Sequence, residues 1–292
     1  MDAEEIYWAE DNGQWLINEV NFKPPSRQVI SIPISVMFTK NGRLLLSFCT
    51  FNSPPLFRRN SLILRRNHKT QISMSGQQEI VEHVVLFKVK PDAESSKVAA
   101  MVSGLNGLSS LDLTVHLSFG QLLRSRCSSL TFTHMLHSRY RSKEDLRAYA
   151  VHPEHVRVVN ENKPIIDDIM AVDWISNGAS VSPKPGSAMR LTILKLKENL
   201  GENEKARVLE AIEGIKDQFQ TIEQLSLGEN FSHDRAKGYT IASIAVLPGP
   251  ADLEALDSNV ELVNLQKEKI GDSIESVVVV DYVIPSPKAG NL

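Results

Sequence analysis

Apolar and polar positions follow two alternating periods from about residue 83 onward. HVVLFKV (83–89) is a run of β-branched and aromatic residues and predicts a strand. In PDAESSKVAAMVSGLNGL (91–108), Val98, Met101, Val102 and Leu105 recur at the i, i+3, i+4, i+7 spacing of an amphipathic helix. LTVHLSFGQ (113–121) and LTFTHMLHSRY (130–140) return to strand character, the second expected to be the longer. Ser142, with Asp145 three residues on, forms a capping-box start for KEDLRAYAV (143–151). PEHVRVVNENKPIIDDI (153–169) is helical with a break near Pro164, and MAVDWIS (170–176) closes as a strand. The order β-α-β-β-α-β predicts an α+β, ferredoxin-like unit: one antiparallel sheet with helices on a single face. Its other face needs cover, which a second sheet would supply.

The chain contains that second sheet. VEHVVLFKVK (81–90) is similar to AMRLTILKLK (188–197), LSFG (117–120) to LSLG (225–228), and AVDWI (171–175) to VVDYV (279–283). FTHM…EDLRAY (132–149) likewise parallels YTIA…ADLEAL (239–256), at a constant offset of about 107 residues. A period of that size marks a duplicated domain rather than a solenoid repeat. The expected organisation is a first unit at 77–176, a Gly/Ser/Pro-rich linker at 177–187, a divergent second unit at 188–286, and a tail at 287–292.

Charge matters through its distribution. The 292 residues carry a formal net charge of -3, which gives no reason to expect nucleic-acid binding, and no apolar stretch is long enough for a membrane helix. Between Glu19 and Glu79, however, there is no Asp or Glu, while nine Lys and Arg residues from Lys23 to Lys69 fall there. An acid-poor, Arg- and Ser-containing N-terminal segment is the description of an organelle transit peptide, so 1–76 is read as a presequence, with a disordered basic arm as the alternative. Met37 is an alternative start. Delivery to the chloroplast is expected, with mitochondrion or peroxisome as alternatives, although the terminal GNL is not an SKL-type address. The two cysteines, Cys49 and Cys127, are too few and too far apart for a disulfide framework or a zinc site.

Candidate chemistry concentrates in YAVHPEH (149–155). One reading is structural: Pro153 suits the first turn of a helix, His152 the cap position and His155 the first turn. The other is chemical. An imidazole can take a proton alpha to a carbonyl, and a phenol can donate to the developing enolate oxygen. His152 and His155 do not make a metal site, because no third ligand is fixed by spacing, and no cofactor is expected. His134 and His137, three apart in a strand, point to opposite faces. Arg139, Arg141 and Lys143 read as a solvated strand edge, and Arg124 and Arg126 as part of the loop between the second and third strands. Cys127 reads as a plain thiol.

HVVLFKVK, the block FTHMLHSRYRSKEDLRAYAVHPEHV and the closing VDW of the first unit resemble the stress-response A/B barrel family of dimeric α+β barrel domains, in its plant tandem-domain type. The resemblance implies a barrel built from two sheets, closed either within the chain as a pseudo-dimer or between chains as a homodimer. The first unit is also similar to the olivetolic acid cyclase-like members, in which the tyrosine and the second histidine of this motif catalyse an aldol ring closure of a linear polyketide. Carried over, those catalytic roles fall on Tyr149 and His155, with His83 and His152 as ligand-binding residues. The second unit has Leu256, Asn259, Leu262 and Arg190 at the positions of Tyr149, His152, His155 and His83, so such chemistry is confined to the first. The expected function is that of a non-enzymatic stress-response protein or one binding a small hydrophobic ligand. A polyketide cyclase-like enzyme is the alternative.

Overall fold

The computed structural model describes residues 8–11, 14–17, 79–127, 130–177 and 182–286. Within the stretch read as presequence, β1 (Trp8–Asp11) and β2 (Gln14–Ile17) pair as an antiparallel hairpin. The basic segment from 18 to 78, with Met37 and Cys49, lies outside the described residues.

The first unit runs β3 (Glu79–Val89), α1 (Ser95–Gly107), β4 (Thr114–Arg126), β5 (His134–Tyr140), α2 (Lys143–Ala150), α3 (Pro153–Asn162) and β6 (Ile166–Asn177). The second runs β7 (Ala188–Leu196), α4 (Glu202–Glu213), α5 (Ile215–Gln218), β8 (Gln224–Glu229), β9 (Ile241–Leu247), α6 (Pro250–Ser258), α7 (Val260–Ile270) and β10 (Ile274–Val283). Two ferredoxin-like units are therefore present, as the periodicity predicts. Three boundaries differ from the sequence reading. Strand β4 is the long one, reaching Arg126, and β5 begins only at His134. Strand β6 takes in IDDI, because Pro164 reduces the end of the helix to a single 3₁₀ turn at Lys163–Ile165.

The eight strands form one antiparallel sheet in the order β6-β3-β5-β4-β10-β7-β9-β8. The halves join edge to edge through β4 and β10, with Ser125 opposite Val280 and Arg124 opposite Asp281. The two remaining edges meet as well: the Phe231 amide donates to the Asp173 carbonyl at 2.9 Å, and Trp174 Nε1 donates to Ser226 Oγ at 2.9 Å. The sheet thereby curls into a barrel closed within one chain, its end strands β6 and β8 meeting without a continuous ladder.

The repeated LSxG and VD-aromatic motifs acquire a shared reason. A Cβ on Gly228 would lie 2.9 Å from the Ile175 carbonyl and 2.9 Å from Trp174, and one on Gly120 would lie 3.3 Å from the Tyr282 ring. At each seam a glycine on the second strand of one unit admits the aromatic side chain from the last strand of the other. Strands are buried on both faces, which explains their near-continuous apolar runs. Val84, Leu86, Met135, Val172 and Trp174 meet Met189, Leu191, Ile244 and Val280 inside the barrel. Val81, Val85, Phe87 and Leu136 face outward, under Met101 and Leu105 of α1 and Val158 of α3. Burial of each such side chain contributes about 1.5–3 kcal/mol.

Candidate functional site

Helices α2 and α3 are separated by one tight turn, and YAVHPEH occupies it. The Ser142 hydroxyl accepts the Asp145 amide at 3.0 Å and starts α2. Pro153 takes the first helical position of α3, where its missing N–H costs nothing, and His152 caps that helix by accepting the Glu154 amide on Nδ1 at 3.2 Å. His152 is thus placed at a helix end and does not join the other candidates.

The remaining three come together on the outer face of the first half-sheet. The rings of Tyr149 and His155 are 4.5 Å apart, Tyr149 lies 5.2 Å from Tyr140, and Tyr140 lies 6.2 Å from His83. His155 Nδ1 sits 2.9 Å from the Ala150 carbonyl. A carbonyl only accepts, so Nδ1 carries the proton and the neutral ring keeps its lone pair on Nε2. Burial pushes the His155 imidazole down to about 4 against the pull of that carbonyl, with the fields of His83 and Arg235 acting in the same direction as burial. Tyr149 is 1% exposed. Its hydroxyl has no hydrogen-bond partner of good geometry among the described residues, and burial raises its pKa against a weaker opposing pull from the neighbouring Tyr140 hydroxyl. A neutral base therefore lies against a buried, protonated phenol.

His83 is fixed by Asp173, whose Oδ1 accepts from His83 Nδ1. The other carboxylate oxygen of Asp173 accepts from Ser232 Oγ and, at 2.7 Å, from Arg235 Nη2. Burial alone would raise the Asp173 carboxyl, but His83, Arg235 and Ser232 outweigh it and hold it at about 2. Ser232 and Arg235 belong to the second half.

The corresponding place in the second half is filled differently. Arg190 stands where His83 does and binds Asp281 through Nε at 2.8 Å and Asp257 through Nη1 at 2.6 Å. Arg124 and Arg126 reach the same carboxylates from β4, Arg124 donating to Asp281 and Glu254, and Arg126 forking onto Asp257. This corrects their expected place in a loop: they lie in the strand at the β4–β10 seam, where the facing carboxylates neutralise them. Leu256 and Leu262 are buried, and Asn259 caps α7 as His152 caps α3.

Residues 81–176 and 189–284 each match Dabb, the stress responsive A/B barrel domain. The chain belongs to that family. It is 45% identical over 265 residues to a stress-response A/B barrel domain-containing protein of Arabidopsis thaliana, covering 89% of this chain and 95% of that relative. It is 47% identical over 211 residues to a second stress-response A/B barrel domain-containing protein of the same plant, covering 71% of this chain and 98% of that one. A solved structure of an anthrone oxidase-like protein superposes with a TM-score of 0.51 at 10% identity, over 72% of this chain and 92% of that one, a likeness of fold alone.

Inside the A/B barrel lies a polar cluster that sequence reasoning missed. Glu82 on β3 accepts from His137 Nε2 at 2.7 Å and from Arg139 Nε at 3.0 Å, and Arg139 Nη1 donates to Gln224 of β8 at 3.1 Å. Arg139 is 0% exposed, so its assignment to a solvated strand edge is wrong: only Arg141 is at the surface, while Lys143 lies over the Phe231 ring at 4.0 Å. Burial alone would raise the Glu82 carboxyl, but His137 and Arg139 outweigh it and hold it at about 2. The available signal was spacing, since His137 and Arg139 are two apart in a strand and share a face with no loop to solvate them. His134 faces the other way and stacks on Phe119.

An open cleft of about 370 Å³ in the second half is lined by Lys195, Lys197, Leu200 and Glu275, and by none of the candidate residues. No group of three or more His, Cys, Asp or Glu side chains among the described residues is arranged to hold a metal ion, and none of their helices is long and apolar enough to cross a membrane.

Proposed function

We propose that this A/B barrel protein binds a small, largely apolar molecule bearing a carbonyl or phenolic oxygen, held in the first half beneath α2 and α3. The observation that carries this reading is the Tyr149 hydroxyl, buried against a neutral His155 with no hydrogen-bond partner of good geometry among the described residues. An unpaired buried donor costs about 1–3 kcal/mol, and an oxygen acceptor on a ligand would recover that. The rings of Tyr140 and His155 pack on Tyr149, and His83 lies beyond Tyr140, so the surface a ligand would meet there is largely aromatic.

The tie between His155 and the Ala150 carbonyl favours turnover as a second reading, a cyclase-like aldol closure. His155 Nε2 would take a proton alpha to one carbonyl while Tyr149 donates to the enolate oxygen. The carbanion carbon would then bond to a second carbonyl carbon within the ligand, and the resulting alkoxide would take back the proton from His155.

The binding reading is tested by titrating the full chain with a linear aromatic β-diketone, following tyrosine fluorescence. The cyclase reading is tested by incubating the full chain with a linear 1,3,5,7-tetraketone, long enough to close a six-membered ring, and following product by mass spectrometry. Saturable binding weakened about tenfold or more in Tyr149→Phe supports the ligand-binding reading, that being the worth of one hydrogen bond inside a dry site. The same Tyr149→Phe change should leave stability unchanged or raise it by up to about 1 kcal/mol, because it deletes an unpaired donor. Equal affinity in both chains would remove the proposal. Ring-closed product that disappears in His155→Ala would establish the cyclase reading, and its absence from the unaltered chain would leave binding alone.

A further inference from the structure

We propose that the second half completes the first half's site: the segment Asn230–Arg235, between β8 and β9, is a strap whose Ser232 and Arg235 are positioning residues for His83. The proposal rests on the ligand-binding reading above and assigns to the divergent repeat a part in that same site.

The strap holds Asp173 at four points. The Asn230 side-chain oxygen accepts the Asp173 amide at 2.9 Å, and the Phe231 amide donates to the Asp173 carbonyl at 2.9 Å. Ser232 Oγ and Arg235 Nη2 then donate to Asp173 Oδ2, leaving Oδ1 for His83. Asn230 also accepts the Ser232 amide at 3.0 Å and donates to the Tyr239 carbonyl at 3.2 Å, so the strap is itself tied down. Phe231 packs against the apolar cluster that contains Tyr149 and Tyr140, and Lys143 at the start of α2 lies on its ring.

The consequence for His83 is orientation. With both oxygens of a buried carboxylate engaged, Asp173 cannot rotate, and the imidazole it accepts from is fixed in tautomer and ring plane beside Tyr140. Buried groups hold such geometry only when the partners behind them are also satisfied. Arg235 contributes charge as well as geometry. Its guanidinium balances the buried Asp173 carboxylate at 2.7 Å.

The seam on the opposite side supports the assignment. In both halves an arginine from the other half reaches the aspartate of the last strand, Arg235 to Asp173 and Arg124 to Asp281. In the first half alone that aspartate holds a histidine rather than a further arginine.

The test uses the full chain labelled with ¹⁵N-histidine, beside Ser232→Ala, Arg235→Gln and Arg235→Lys. In the unaltered chain the His83 Nδ1 proton, bonded to a buried carboxylate, is expected as a slowly exchanging downfield signal. Arg235→Gln should shift or abolish that signal and weaken binding of the β-diketone about tenfold, the worth of one charge-assisted hydrogen bond. Arg235→Lys should restore part of both, with a melting temperature closer to that of the unaltered chain than Arg235→Gln shows, because it keeps a cation beside the buried Asp173 carboxylate. A His83 signal unchanged in Arg235→Gln and Ser232→Ala overturns the proposal, as does a changed signal with unchanged affinity. The histidine spectrum needs no ligand, so a chain that binds no β-diketone would refute the ligand-binding reading while the strap's hold on His83 is still read directly.

Discussion

The two halves of the barrel share a backbone and part company at the same few positions, and the difference teaches what each half is for. At the first strand one has His83 and the other Arg190, while both keep an aspartate on the last strand, Asp173 or Asp281. In the second half three arginines and three carboxylates, including Asp257 and Glu254 of α6, fill the space between sheet and helix. The charges there pair with one another, some tying β4, β7 and β10 together through Asp281 and the rest holding α6 to the sheet through Asp257 and Glu254. In the first half the equivalent space contains Tyr149, His155 and His83, whose polar atoms are only partly engaged. The second half thus has an ion-pair clamp where the first half has the Tyr149, His155 and His83 cluster.

The sharpest way to break this comparison is to remove the clamp's centre. Asp281→Ala leaves Arg190, half-buried in the cluster, without its main partner and should destabilise the chain by about 3–5 kcal/mol, the usual cost of orphaning one member of a buried ion pair. Urea denaturation measures it. Ligand binding in the first half should survive wherever the chain remains folded, and a loss below about 1 kcal/mol would show the cluster to be a solvated surface instead.

Acid should sharpen the same contrast more gently. Burial holds His116 at about 3 and His155 at about 4, whereas each titrates near 6.5 when unfolded. Between those values the unfolded chain binds the additional protons, so stability falls as pH drops below 6.5, by roughly 1 kcal/mol per pH unit for each histidine. Further loss follows as pH falls from about 4 toward 2, where Asp173 and Glu82 take up protons they resist in the folded chain. The second unit contains one histidine, His233, so the upper part of this dependence should come from the first half. Denaturation midpoints from pH 7 to 4 check it, with His155→Asn and His116→Asn each expected to flatten the slope.

Much of the fold was legible because its signals are local. Two periods, a capping serine and a proline at a helix start are read within a dozen residues, and the repeat extends the reading to the whole barrel. Tyr149, His155 and His83, which the fold brings near one another, were singled out because the helix turn and strand one each carry their own motif. What sequence reading lost depends on pairing between distant strands. Arg139 is buried only because Glu82 and Gln224 face it from β3 and from the other half. Arg124 and Arg126 read as loop residues until β10 is placed beside them. The strap had a signal in the repeat itself, since an arginine follows Gly120 by six residues and Gly228 by seven, but its meaning emerges only once the seams close.

That closure within one chain is what makes either half depend on the other, and a cross-link tests it most directly. Ser125 and Val280 lie opposite each other across the β4–β10 seam, within disulfide reach for an antiparallel pair. In a chain with Cys49 and Cys127 changed to serine, Ser125→Cys with Val280→Cys should oxidise in dilute solution to a single-chain product, compact and faster in non-reducing electrophoresis. A covalent dimer formed in its place would mean that the barrel is shared between chains.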